Sequence, residues 1–342
     1  MVNILDMEDY LMNHRPSGSL PVSKAIVGFL NFKTAEGLSD RTIDSYQRQL
    51  QKWLEYLGDK EVATITVGEL TKYLSWLRNE YVPHSFGGGK DRLSPKTLRN
   101  FWITLSAFFT WASKEFKMIN PMKEVPSPKF KSPPVEPFTQ DEMQAMLKVC
   151  LYSREVKPGN RKSFVMRLPN GYRDQAIIMT LLDTGLRAME LCSLKIKHVD
   201  TKTGKVEIQH GRDGGAKGGK GRIVYLGKAT RRALWRYLAE REDGDNQDAY
   251  VFQARDNYPF NPNSLRKLIV SIASRAEVKD AYPHRFRHTF AITYLRSGGD
   301  VFTLQALLGH STLDMVRRYA MIADLDVERA HRKASPADNW RL

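Results

Sequence analysis

A proline-rich segment near the middle of the chain limits how the sequence can fold. Six prolines are mixed with lysines between residues 120 and 137, at Pro121, Pro126, Pro128, Pro133, Pro134 and Pro137. Proline donates no backbone hydrogen bond and disfavours a helix at the residue before it, so the segment predicts an extended basic linker over 121–137. This linker divides the chain into an N-terminal extension (1–20), a helical domain (21–120) and a second domain (138–342).

The sequence before the linker predicts four helices. Apolar residues recur at helical spacing near residues 23–35, between Ser39 and Gly58, after Thr66 and after Ser94. Many of these residues are aromatic, and we assign them to the core because four short helices need them to hold together. Basic side chains on the outward faces could contact phosphates or only water: Arg41, Arg48, Lys52, Lys96 and Arg99.

Composition favours a partner with many negative charges. The 342 residues carry a formal net charge of +15, and nucleic acid is the commonest polyanion that offsets such an excess. The chain contains only 2 cysteines, which favours the reducing cytoplasm over a disulfide-stabilised secreted fold. Neither a signal peptide nor an apolar run long enough to span a bilayer is predicted.

The sequence after the linker mixes helices with one β-hairpin, so the predicted class is mainly α with a small β-sheet (α+β). Residues 205–209 and 222–226 alternate apolar and polar side chains like paired strands, with a glycine-rich basic turn between them. That turn lacks the Ser or Thr and the following helix of a phosphate-binding P-loop, but it could bring Lys217 or Lys220 to a phosphate. Helices are predicted at 174–184, 188–194, 229–240, 262–276, 284–296, 301–308 and 312–323.

Two arginines stand where an anion site is plausible. Arg187 follows the glycine that ends a predicted helix, where its guanidinium could bind two phosphate oxygens or pair with Glu190. His284 and Arg287 lie three apart on a helix and therefore share a face. His284 and His288 also have the spacing of a zinc pair, but the flanking Arg285 and Arg287 would repel a cation, so an anion fits this segment better than a metal.

The motifs in order resemble the tyrosine recombinase (phage integrase) family. T-G-L-R-x-x-E-L, a hairpin lysine, H-x-x-R, L-G-H-S and a tyrosine nine residues beyond His310 follow one another from Thr139 to Ala323. Each motif alone is weak, whereas five in this order and spacing are specific. The helices before the linker resemble the family's core-binding domain in pattern only.

The resemblance implies a reaction and assigns its residues. Tyr319 would attack a scissile phosphate and form a 3′-phosphotyrosyl bond, without a metal or another cofactor. The remaining implied roles are phosphate binding for Arg187, Arg287 and His310, proton acceptance for His284, support for Glu190 and general acid for Lys217, with Lys220 as the alternative. Lys220 and Arg222 are also expected to contact DNA.

The resemblance further implies a C-shaped clamp around double-stranded DNA and a homo-tetramer in the synaptic complex. The tail after Tyr319 would dock on a neighbouring subunit. The expected role is integration or excision of a mobile element, which we favour, or Xer-like resolution. Alternatives are a topoisomerase IB-like enzyme, a telomere resolvase, and an inactive DNA-binding accessory protein; a metal-dependent hydrolase would lose activity on chelation.

Overall fold

The chain folds into two compact units. The computed structural model describes residues 20–83, 92–130, 135–153, 165–209, 221–254 and 258–309, together with Tyr319, Ser335, Ala337 and Trp340. Internal contacts separate unit 1, residues 1–133, from unit 2, residues 134–342. Within the described part, no helix has both the length and the hydropathy that crossing a bilayer requires.

Unit 1 contains the four predicted helices, and their starts follow local signals. Thr66 and Glu69 form a reciprocal capping box, and the Ser94 hydroxyl accepts a hydrogen bond from the backbone of Thr97. The helices are α1 (Val22–Ala35), α2 (Asp40–Leu57), α3 (Val67–Asn79) and α4 (Pro95–Glu115).

Aromatic side chains form the centre of unit 1, as predicted. Trp53 of α2 meets Phe108 and Phe109 of α4 edge-on, with ring centroids 5.6 and 5.5 Å apart, and all three side chains are fully buried. Edge-to-face pairs of this kind add to the stabilisation that comes from burying their area. These rings therefore hold the helices together and do not form an exposed base-stacking surface.

The start of the predicted linker belongs to this core. Pro121–Lys123 forms a 3₁₀ turn, Met122 and Val125 are buried with the unit 1 cluster, and the Trp102 indole donates to the Val125 carbonyl at 3.1 Å. The prediction of an extended segment is therefore wrong for 121–125, because two apolar side chains between the prolines find a core to bury in. The remaining domain bounds stay a prediction.

Unit 2 contains seven α-helices, two strands and a 3₁₀ turn (Ile196–His198) among its described residues; the helices and strands are given next. They are α5 (Gln140–Leu151), α6 (Gly171–Thr184), α7 (Ala188–Cys192), β1 (Lys205–Ile208), β2 (Arg222–Tyr225), α8 (Lys228–Ala239), α9 (Pro262–Arg275), α10 (Pro283–Arg296) and α11 (Val301–Leu308). The strands pair antiparallel with Val206 opposite Val224, and both side chains are buried in the main core of the unit.

Two glycines shape the helix ends that carry the candidate site. Gly185 ends α6 and Gly309 ends α11, both in the left-handed conformation with φ of 60° and 62°. Glycine adopts this conformation without the steric cost that a Cβ brings. Each helix therefore ends sharply, with its last carbonyl groups open to partners. The predicted helix 312–323 lies outside the described residues except for Tyr319, which is helical.

Candidate active site

A buried carboxylate joins the two arginines that flank it. Glu190, on the short helix α7, accepts hydrogen bonds from both terminal nitrogens of Arg222 at 2.8 and 2.7 Å. The same carboxylate accepts from the backbone and the guanidinium of Arg187 at 2.8 and 2.9 Å. The Glu190 side chain is 0% exposed and that of Arg222 is 8% exposed.

The electrostatic balance keeps Glu190 ionised. Burial alone would raise its pKa, but the hydrogen bonds and charges of Arg222 and Arg187 outweigh burial and hold the pKa at about 2. Glu190 therefore carries a full negative charge at neutral pH. It orients both guanidinium groups and is too weak a base to accept a proton.

The C-terminal end of α11 binds three arginines through successive carbonyl oxygens. Leu307 accepts from Arg222 Nε at 2.6 Å, Leu308 accepts from Arg287 at 2.6 Å, and Gly309 accepts from Arg187 at 3.2 Å. The last carbonyls of a helix lack partners within the helix and carry partial negative charge, so cations are favoured there.

Arg287 is the most buried of these cations. Its side chain is almost fully enclosed, and the Gly185 carbonyl at the end of α6 accepts from it at 2.9 Å. Burial, together with the positive charges of Arg187 and Arg222, lowers its pKa to about 9, while Glu190 opposes this change. Arg287 thus remains protonated at neutral pH in a place that disfavours its charge, and an anion bound beside it would relieve that cost.

Tyr319 lies within reach of the same positive charge. Its ring is buried in a small apolar cluster with Ile292, Leu304 and Leu308 of α10 and α11. Burial raises the pKa of the phenol above its ordinary value, and the charges of Arg287 and Arg187 offset only part of that rise. The His288 ring packs against the Tyr319 ring with centroids 5.2 Å apart and the planes at 62°.

Sequence comparison identifies the family to which this site belongs. The family model described as "Phage integrase family" matches residues 137–325, and one described as "Phage integrase, N-terminal SAM-like domain" matches residues 27–118. The chain belongs to the phage integrase family. Its curated relatives include tyrosine recombinase XerC of Staphylococcus epidermidis, 27% identical over 310 residues that cover 89% of this chain and 94% of the relative. Tyrosine recombinase XerD of Listeria innocua is 27% identical over 315 residues, covering 90% and 97%.

Solved structures of integrases and recombinases share the fold. The Tn1549 transposon integrase in complex with a circular intermediate DNA has a TM-score of 0.67 at 19% identity, covering 92% of this chain and 100% of that one. A lambda integrase dimer bound to a core site has a TM-score of 0.66 at 15% identity, covering 93% and 81%. These comparisons confirm three predictions: the family, the mainly α fold with a small sheet, and the enzyme class of tyrosine recombinase.

The structure brings together four of the predicted catalytic and supporting residues. Arg187, Glu190, Arg287 and Tyr319 are linked by the contacts and charges above, whereas His284 lies exposed at the start of α10. Lys217, Lys220 and His310 lie outside the described residues. The sequence did not predict the contact of His288 with Tyr319, because the spacing of His284 and His288 indicates only that the two histidines share a helix face.

Two arginines of this recombinase have partners that the sequence did not predict. The DNA contact of Arg222 stays a prediction, and in the structure its guanidinium is buried and binds Glu190 and the Leu307 carbonyl. Arg285 does not flank the anion site: it donates to the carbonyls of Glu136 and Lys279 and lies 4.0 Å over the Phe138 ring. Arg285 therefore fastens the start of unit 2 to α10.

The cations of unit 1 that are predicted to contact DNA differ in their contacts within the protein. Arg41, Lys96 and Arg99 are exposed, and Arg48 donates to the Asp44 carbonyl at 3.2 Å. Lys52 forms an ion pair with Glu55 at 2.8 Å, and its ammonium lies 5.2 Å from the centre of the Tyr81 ring. Lys52 would have to give up these contacts to bind a phosphate.

Proposed function

We propose that this recombinase cuts and rejoins duplex DNA at specific sites with Tyr319 as the nucleophile. The observation that carries the proposal is that the Tyr319 ring lies in one buried cluster with Leu308, whose carbonyl oxygen holds Arg287 at 2.6 Å. A tyrosine hydroxyl is a weak nucleophile at neutral pH until nearby cations stabilise its phenolate. The charges of Arg187 and Arg287 act in that direction and offset part of the rise in pKa that burial brings. Both guanidinium groups are fixed by carbonyl oxygens, so they need not reorganise during the reaction.

Binding of the scissile phosphate follows from the charge of the site. Three arginines surround one carboxylate, which leaves excess positive charge beside Tyr319. Arg187 and Arg287 then bind the non-bridging phosphate oxygens and offset the charge that grows on them in the transition state. His310 adds a hydrogen bond to the same phosphate, and Glu190 maintains the orientation of Arg187.

The reaction exchanges one phosphodiester bond for another. The Tyr319 oxygen forms a bond to phosphorus as the bond from phosphorus to the 5′-oxygen breaks. His284 accepts the phenolic proton, and Lys217, or Lys220, protonates the departing 5′-oxygen. A 5′-hydroxyl from a second strand later attacks the phosphotyrosine by the reverse route. The family resemblance implies that this needs no metal or nucleotide.

DNA binding and assembly form part of the same proposal. The SAM-like match over residues 27–118 and the DNA present in the Tn1549 and lambda integrase structures support duplex DNA as the partner. We propose that two sites are joined by a homo-tetramer, that the tail after Tyr319 docks on a neighbouring subunit, and that the protein acts in the cytoplasm. Its task is the movement of a mobile element or Xer-like resolution.

A two-site plasmid assay tests the reaction outcome. Recognition sequences are first selected from random duplex DNA by binding, and two copies are placed on one supercoiled plasmid, which is then incubated with the protein in EDTA. Deletion or inversion between the sites is expected from the wild type and absent from Tyr319→Phe. Relaxation without exchange would instead indicate a topoisomerase, hairpin-ended linear products a telomere resolvase, and binding without any product an accessory protein.

A further inference from the structure

His288 occupies a position that the proposed mechanism leaves unassigned. It lies on α10 directly after Arg287 and one turn after His284. Its ring is 4.6 Å from the His284 ring at 80° and 5.2 Å from the Tyr319 ring at 62°, measured between centroids. Both contacts are edge-to-face, which is a favoured geometry between aromatic rings. His288 therefore touches the nucleophile and the exposed histidine together.

The surroundings of His288 disfavour its protonated form. Burial, and the positive charges that His284 and Arg287 bring from the same helix, lower its pKa to about 4. Tyr319, which faces it from the other side, is neutral while its phenol stays protonated. At neutral pH His288 is an uncharged aromatic ring, and a base this weak accepts a phenolic proton poorly.

We infer that His288 is a positioning residue, whose ring holds the Tyr319 phenol in line with the guanidinium of Arg287. The inference rests on the proposed role of Tyr319. Without that neighbour the phenol ring loses its contact on one side and can shift within its cluster, and a displacement of about 1 Å at a reacting atom can slow a reaction roughly 100-fold. The contact is made by the flat face and edge of a ring, so another aromatic side chain can replace it.

Single-turnover cleavage of a nicked trapping substrate tests this role. The full-length protein is compared with His288→Phe, His288→Ala and His288→Leu, and DNA affinity is measured in parallel by fluorescence anisotropy. We expect His288→Ala and His288→Leu to cleave roughly 10- to 100-fold more slowly at unchanged affinity, and His288→Phe to stay within about threefold of the wild type. His198→Ala, a half-buried histidine of another segment in unit 2, is the matched control and should cleave normally.

Two results would overturn the inference. One is wild-type cleavage by both His288→Ala and His288→Leu. The other is a loss in His288→Phe as large as in His288→Ala, with recovery of His288→Ala by added imidazole, which would assign proton transfer to the ring nitrogens. Should His288→Ala fail to fold, His288→Leu keeps the side-chain volume and supplies the comparison.

The same experiment separates this inference from the proposed function. The covalent product is digested and the linked residue is identified by mass spectrometry. DNA linked to Tyr319 at an unchanged rate in His288→Ala would reject the positioning role alone. DNA linked to a different residue would reject the proposed nucleophile and the positioning role with it.

Discussion

The carboxylate of Glu190 and the guanidinium of Arg222 form a two-point ion pair, with N–O distances of 2.8 and 2.7 Å, although 32 residues separate them in sequence. The pair links helix α7, which follows Arg187, to strand β2. Because Glu190 also binds Arg187, the position of Arg187, for which we propose phosphate binding, depends on the strand that carries Arg222.

Glu190→Gln should destabilise the protein strongly. The substitution leaves two guanidinium groups facing an uncharged amide in a buried place, and losing one partner of a buried pair costs about 3–5 kcal/mol. Glu240→Gln is the matched control in the same unit, because its ion pair with Arg167 is about half exposed and should contribute less than about 1 kcal/mol. Urea unfolding of both variants measures the difference, and equal losses would contradict the buried network.

Gly185→Ala should disturb both stability and cleavage. A Cβ at this position would lie 2.6 Å from the Phe290 ring and 3.0 Å from Leu308, and the Gly185 carbonyl holds Arg287. Gly37→Ala is the control, because that glycine also has positive φ but nothing within 4 Å of the added Cβ. The strained backbone costs each variant about 1–2 kcal/mol.

Crowding should cost Gly185→Ala about 1–3 kcal/mol more than the Gly37 control. Only Gly185→Ala should also slow single-turnover cleavage. Similar melting temperatures and similar cleavage rates for the two variants would argue against the close packing of Gly185, Phe290 and Leu308.

Lowering the pH should reduce the free energy of unfolding, in part because of His288. Its pKa of about 4 in the folded chain lies below the ordinary value of 6.5, so protons bind the unfolded chain more tightly. The stabilisation is complete above pH 6.5 and is lost as the pH falls toward 4. Melting temperatures from pH 7 to 5, above the range in which Glu190 titrates, should drop less for His288→Phe than for the wild type. Equal falls in melting temperature for the two proteins would contradict the lowered pKa of His288.

Arg99 and Arg222 should affect DNA binding differently. Arg99 is exposed, and if it contacts a phosphate, Arg99→Gln should reduce the slope of log affinity against log salt by about 1. Arg222→Gln should leave that slope unchanged, since the native side chain is buried against Glu190. It should slow cleavage, because a neutral amide cannot replace the two-point ion pair that a guanidinium makes with the carboxylate. Salt titrations of both variants measure this, and a reduced slope for Arg222→Gln would support a DNA contact by Arg222.

Helix boundaries were predictable because their signals are local. The capping box at Thr66 and the glycine at 185 mark ends that depend on neighbours within a few residues. The hairpin strands were predictable for the same reason, because alternation of apolar and polar residues is read within each strand.

Contacts distant in sequence were not predictable from spacing. The pattern around Arg222 indicates a strand but does not reveal that Glu190 and the Leu307 carbonyl lie opposite its side chain. Composition likewise predicted an extended segment at 121–125, whereas the burial of Met122 depends on the core that four helices build. The order of motifs identified the family, but only the fold reveals that three carbonyls ending α11 hold three arginines.

Covalent trapping on a nicked DNA substrate that carries the selected recognition site, run in EDTA, tests the central claim most directly. We predict a protein–DNA band on a denaturing gel for the wild type and its loss in Tyr319→Phe, while Tyr294→Phe, a tyrosine of α10 with no assigned role, keeps the band. A band retained by Tyr319→Phe, or no band from wild-type protein that demonstrably binds the DNA, would contradict Tyr319 as the nucleophile.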